Sequence, residues 1–273
     1  MRGRFVIAAV LACAYAPGCA WAQAGASGPP PDWTVTIGVE GRVTPAYDGS
    51  DRYIIAPFPS FDFRRVGTPR SFTSPRDGFS IAIINIGQFR LGPTGKVVLP
   101  RDESDDRAAL RGLGDVDWAV EIGGFAEYWP FPWLRTRAEV RQGFGGHHGV
   151  VSDINADVVI PATPALTLSA GPRLTLATSD ALQPYFGVTA AQSLASGLPI
   201  YQPKGGVRSY GAGAQARYQW SPQWAANLFV EYDRLTDDAA RSPVLSRGGS
   251  ADQVTVGLGI SYTFDIHVGI DLP

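Results

Sequence analysis

Residues 253–264 read "QVTVGLGISYTF". Val254, Val256, Leu258, Ile260, Tyr262 and Phe264 alternate without a break, and only Thr, Gly and Ser stand between them. Strict alternation puts the first set on one face of a β-strand and the small set on the other. A strand over a water-soluble core would usually carry charges on its solvent face. Here the second face is small and uncharged, and the apolar face ends in two aromatics. The stretch is therefore either an unusual sandwich strand or a strand of a membrane barrel, with lipid outside and a polar lumen inside.

The rest of the chain favours the barrel. Alternating segments recur at 33–43, 53–65, 79–86, 88–99, 116–129, 134–145, 152–161, 165–177, 183–192, 206–219, 223–235 and 251–264. Their lengths suit tilted strands that cross a bilayer. Along 165–177, Leu166, Leu168, Ala170, Leu174 and Leu176 oppose Thr167, Ser169, Gly171, Arg173 and Thr175. Trp33, Trp129, Trp133, Trp220 and Trp224 fall at predicted strand ends, where an interfacial girdle needs rings with a polar edge; Trp118 falls inside a predicted strand. The longest apolar stretch, "FSIAIINIGQF", is broken by Ser80, Asn85 and Gly87, so no segment spans a membrane as a helix. The fold class predicted is all-β, an antiparallel transmembrane β-barrel of about 12 strands within a range of about 10–14, over residues 33–264. Counted back from the last strand, the tight "SPQ" connection at 221–223 is periplasmic and 236–250 is an outer loop. The same count puts the short "PFPW" and "ATPA" connections on the outer side, which is unusual for a bacterial barrel.

The first 24 residues have Arg2 and Arg4, an apolar stretch from Phe5 to Ala16, and Ala22-Gln23-Ala24. This is the layout of a cleavable secretory signal peptide, with the mature chain starting near Gly25. A lipoprotein signal at Cys13 or Cys19 is the lesser alternative. Both cysteines of the chain lie in this segment, so cleavage leaves no thiol or disulfide. Residues 25–32 read as a flexible leader and 265–273 as a C-terminal tail. The formal net charge is −2, and it becomes −4 once Arg2 and Arg4 are removed, which gives no basis for nucleic-acid binding.

Within the barrel, Glu121 and Glu127 share a face of 116–129, and Arg135, Arg137, Glu139 and Arg141 share one of 134–145. Inward residues must meet inward residues, since a one-residue slip would turn charges toward lipid. Setting Tyr128 opposite Leu134, with 129–133 as the loop, places Glu127 opposite Arg135 and Glu121 opposite Arg141. Each such pair contributes about 0.2–1 kcal/mol across strands, and reversing both charges of one pair is expected to preserve it. These charges either staple the lumen or line a pore.

Adjacent His147 and His148 invite a metal-site reading. Successive strand residues diverge, however, and the plainer account is a glycine-rich turn of Gly145, Gly146, His147, His148 and Gly149. No catalytic residue, cofactor or metal site is assigned, because His147, His148 and His267 are the only histidines and a triad would depend on geometry that sequence proximity does not supply. Gly259, Tyr262 and Phe264 resemble the terminal signal read by the outer-membrane barrel assembly machinery, although "DIHVGIDLP" follows Phe264's strand end from Asp265.

The stretches "TPAYDGSD" (44–51), "APFPSFDFR" (56–64), "LRGLGDVDWAVEIGGFAEYWP" (110–130), "RAEVRQGFGGHHG" (137–149), "YFGVTAAQSLASGLPIY" (185–201) and "DDAARSPVLS" (237–246) occur in this order. Together they resemble the MltA-interacting protein / OmpV family of outer-membrane proteins. The resemblance implies a barrel in the lipid bilayer of the outer membrane, without known catalysis. It further implies, for some members, scaffolding of a periplasmic lytic transglycosylase with a peptidoglycan synthase. A small solute channel, or an enzyme acting on lipid or sugar, are the rival functions.

Overall fold

The computed structural model describes residues 32–267. The signal-like segment, residues 25–31 of the leader and residues 268–273 of the tail lie outside them. β1 (Trp33–Pro45), β2 (Tyr53–Arg65), β3 (Phe79–Ser80), β4 (Ile84–Ile86), β5 (Phe89–Val98) and β6 (Ala119–Phe131) are followed by β7 (Leu134–Gly145), β8 (Val150–Pro161) and β9 (Leu166–Ala177). Helices α1 (Ser179–Phe186) and α2 (Ala190–Ser196) come next, then β10 (Gly206–Gln219), β11 (Trp224–Leu235), helix α3 (Asp237–Ala240) and β12 (Asp252–Ile266). The strands form one 12-stranded antiparallel sheet in the order β2-β1-β12-β11-β10-β9-β8-β7-β6-β5-β3, with β4 also on β5. The chain is thus an all-β, nearly closed barrel. Pairing of β1 with β12, Trp33 opposite Ile266, joins its first and last strands.

The opening stretch forms most of β12, and its alternation becomes an outside and an inside. Leu258 is 63% exposed on the lipid face. On the inner face, a Cβ at Gly257 would stand 2.1 Å from the ring of Phe229, which is buried in the lumen. The small residues leave room for large neighbours to lie across the strand. Aromatics ring both ends of the wall. Trp220, Trp224, Tyr262 and Phe264 form a chain of ring contacts at one end, with Trp33 against Phe63 at 4.3 Å. Exposed Trp118, Tyr210 and Tyr232 mark the other. Trp118 precedes β6 rather than lying within it, so it too belongs to a strand end. Tyr210 and Tyr218 are about 27 Å apart along β10 at about 3.4 Å per residue, which tilt brings close to an apolar band of about 25 Å.

Three expectations are corrected. Residues 183–192 are not a strand but parts of α1 and α2: Thr189 and Gln192 form a reciprocal capping box, and Gly197 ends α2 in the left-handed conformation. With that strand removed, 131–133, 162–165 and 220–223 all fall at the same end of the barrel. Short turns mark the periplasmic side, so the longer connections 46–52, 99–118, 178–205 and 236–251 are extracellular. The second correction is the β6–β7 register. Glu127 lies opposite Arg137 and Gly123 opposite Arg141, two residues from the predicted alignment. The hairpin closes at Phe131 and Leu134, and a bulge at 129–130 absorbs the extra residue. Inward still meets inward. β12 also runs on to Ile266, beyond the predicted end at 264.

The buried apolar clusters sit in the extracellular loops and the strand ends beneath them rather than deep in the lumen. Tyr47, Leu110, Leu113, Val188, Leu198 and Val244 form one cluster, and Val151, Leu182, Phe186, Leu235 and Ala239 belong to a second. Together the loops make a cap over the barrel mouth. None of the described helices is long and apolar enough to cross a membrane.

Candidate functional site

The inward face of β7 carries Arg135, Arg137, Glu139 and Arg141 at every second residue, all buried. Each arginine is shared among several carboxylates. Arg135 meets Glu127 at 2.8 Å, Asp77 at 2.6 Å and Asp157 at 3.1 Å. Arg137 meets Glu139 at 2.7 Å and Glu127 at 3.3 Å. Arg141 holds Glu121 at 2.8 Å, Asp153 at 2.5 Å and also Glu139. Glu121–Arg141 and Glu127–Arg135 are therefore in contact, but diagonally and as parts of a network rather than as isolated opposite pairs.

A segment between β2 and β3 completes the network from inside. Ser74-Pro75-Arg76-Asp77 makes a turn, with Asp77 N donating to Ser74 O at 3.0 Å, and Pro75 supplies the fixed φ that its second position favours. The turn points Arg76 and Asp77 into the lumen. Arg76 donates to Thr175 of β9 at 3.1 Å, pairs with Asp233 and reaches Glu231 of β11 at 3.5 Å. Gly78 N donates to Glu139 Oε1 at 3.1 Å, and a Cβ there would stand 2.5 Å from Thr94 Oγ1. Arg173 crosses the glycine face of β10, where a Cβ at Gly213 would be 2.9 Å from it, to reach Glu231 at 3.3 Å. One charged layer thus runs from β6 to β11.

His147 and His148 part company. His147 turns inward, is buried, and places Nε2 3.1 Å from Glu121 Oε1 with its ring edge-on to Tyr185. His148 is exposed, and its carbonyl accepts from Gln142. Gly145 adopts φ +99°, and a Cβ at Gly149 would stand 2.1 Å from Ala181 N of α1. The glycines thus let the turn bring His147 to the charged layer and α1 close above it. Gly259, Tyr262 and Phe264 lie on β12, with Phe264 opposite Val35.

Sequence reading missed Arg76, Asp77, Asp153, Asp157, Glu231 and Asp233 as members of the layer. The four on strands were visible as inward positions of alternating segments. Arg76 and Asp77 had no such signal, because a Pro/Gly-containing connection looks the same whether it hangs outside or folds inward.

A family model described as MltA-interacting protein MipA matches residues 37–264. The chain belongs to this family. The match runs from within β1 to within β12, so it embraces the barrel, the inserted segment and the cap. Among solved structures the chain is similar to an outer-membrane channel from Pseudomonas putida F1, at 10% identity and TM-score 0.45, covering 87% of this chain and 97% of that one. It is also similar to the NanC porin, at 10% identity and TM-score 0.40, with 84% and 98% covered. A third similar structure is the CymD monoaromatic hydrocarbon channel, at 11% identity and TM-score 0.38, with 87% and 89% covered. At such identities the likeness concerns the barrel fold alone. No curated protein sequence matches the chain.

Proposed function

We propose that this barrel is a non-catalytic structural protein of the outer membrane, exported by its cleaved first 24 residues, whose periplasmic face holds peptidoglycan-remodelling enzymes. The partners are a lytic transglycosylase and a peptidoglycan synthase. Membership of a family described by interaction with MltA supports the partner class. The observation that carries the structural role is the charged layer: Arg76, on the inserted segment, is tied to β9 and β11, while Asp77 is tied to β7. Such a layer braces the lumen against solute flow, which favours a scaffold over a channel. The turn-end mouth also carries Arg64, Arg70 and Arg217 within electrostatic reach of one another, with Asp62 holding Arg64 at 2.6 Å. That surplus of positive charge suits an acidic partner surface.

The test pairs two measurements on the full barrel. Affinity capture from envelope extracts retains a lytic transglycosylase, and planar bilayers show negligible steady conductance. Arg76→Ala with Asp77→Ala unties the inserted segment and raises conductance. Steady wild-type conductance without capture of any peptidoglycan enzyme would replace this reading with that of a channel.

A further inference from the structure

The barrel wall has a gap in its extracellular half. β3 and β4 pair with β5 only as far as Gly95, so Lys96, Val97 and Val98 have no strand on that edge. β2 stands across the gap. Its even-numbered residues turn their backbone groups toward β1, as the bonds Val66 N to Asp32 O and Ala46 N to Arg52 O show at its two ends. The odd-numbered residues therefore face the gap, and two of them, Pro57 and Pro59, have no N–H to offer. An edge that lacks two successive donors at its middle resists strand pairing. The gap is thus encoded in the sequence.

Behind it lies a cavity of about 220 Å³. Ile54 and Phe58 of β2, with Val98 and Leu99 at the end of β5, line its gap side. Its inner side is polar, and Arg101 Nε, Arg208 Nε, Tyr185 Oη and Asp233 Oδ1 are all buried there without a hydrogen-bond partner. Asp48 and Asp233 face the cavity too, but Arg208 holds the first at 3.1 Å and Arg76 the second. Arg101 differs. It is 3% exposed, its Nη1 donates to the Tyr185 carbonyl at 2.9 Å, and among the described residues no carboxylate lies within ion-pair distance of it. Asp105 and Asp115 act on it only from longer range; a buried guanidinium without a directly paired carboxylate is costly, and an anion relieves it. Burial accordingly holds Arg101 below its ordinary pKa. Outside, Ile55 is 81% and Val97 56% exposed, so the lips of the gap meet hydrocarbon. With the loop cap above and the charged layer below, the approach to the cavity is sideways from the outer leaflet.

We propose that the cavity binds the anionic group of an acyl-chain amphiphile that enters laterally between β2 and β5. The anion sits on Arg101 and the Tyr185 hydroxyl, and the chain lies across Ile54, Phe58 and Val98 toward the bilayer. This assignment does not depend on the scaffold reading.

The test is titration of the purified full barrel in nanodiscs with myristate, myristyl alcohol and acetate. Saturable one-to-one binding of myristate is expected, at least tenfold tighter than either the neutral alcohol or the chainless anion. Arg101→Gln weakens myristate binding at least tenfold. Val98→Trp, which leaves the charges intact and fills the entry, abolishes it while the barrel keeps its heat-modifiable mobility. Absence of saturable myristate binding to wild type overturns the proposal. So does equal binding by folded Arg101→Gln, or acetate binding as tightly as myristate, which would make the cavity a simple ion site.

Discussion

Arg135 is fully buried and serves Glu127, Asp77 and Asp157 at once. A buried cation of this kind contributes little net stability when compared with an apolar replacement of the whole group, but removing it alone leaves its partners short of a counter-charge. Arg135→Met removes the one cation that all three share; Glu127 and Asp77 keep Arg137 and Asp157 keeps Arg173, so stability falls by about 3 kcal/mol, the low end for a broken buried pair. Urea unfolding in detergent micelles measures this loss. Arg141 gives a sharper distinction between a pair and a network. Were Glu121 and Arg141 an isolated pair, exchanging their charges would preserve it. Arg141 also holds Glu139 and Asp153, so Arg141→Glu sets a third carboxylate against those two. Glu121→Arg combined with Arg141→Glu is thus less stable than Glu121→Gln alone. A double variant with near wild-type stability would show that the pair acts independently.

Among the elements, the extracellular connections behave as a small folded cap rather than as separate loops. Asp238 of α3 joins two of them, accepting from Lys204 N at 2.6 Å and from Arg241 Nη2 at 2.5 Å. The Lys204 amide, and then Arg241, hold its carboxyl below the usual carboxylate value of 3.8. Because the folded pKa is depressed, the stabilisation is present above the unfolded value and is lost as pH falls through the folded one. Amide exchange of Lys204, followed by mass spectrometry of the cap and corrected for intrinsic rate, therefore rises below about pH 4. Asp238→Asn removes that pH response, and a variant that keeps it would place the titrating group elsewhere. The short helices of the cap were partly legible: Thr189-Ala190-Ala191-Gln192 is a capping-box sequence, and Pro184 and Gly187 interrupt what looked like strand alternation. Alternation over 183–192 misled because four or five residues of apolar pattern suit a strand and a buried helical turn equally.

For the whole molecule, closure depends on β12, which pairs with β1 on one side and β11 on the other. Phe264 lies opposite Val35, and its ring stands 5.9 Å from that of Tyr262. Phe264→Asp puts a charge at the lipid interface of the closing strand, so folded protein in the outer membrane falls severalfold. Heat-modifiable migration of outer-membrane fractions reads this directly, and normal levels would remove Phe264 from the assembly role. The all-β architecture, the lipid and lumen faces, the girdle tryptophans other than Trp129, whose indole instead donates to the buried Glu127 at 3.0 Å, and the free edge of β2 follow from local rules, namely the two-residue strand period, interfacial aromatics and the missing donors of Pro57 and Pro59. Only the tertiary structure decided the partners of the lumen charges. Alternation assigns a side chain to a face, but an arginine is long enough to choose among carboxylates on several strands, as Arg173 does when it passes over Gly213 to Glu231. The inward course of Arg76 and Asp77 was likewise undetermined, because a turn has the same local chemistry on either side of the wall and its direction is set by the charges waiting on β7 and β11.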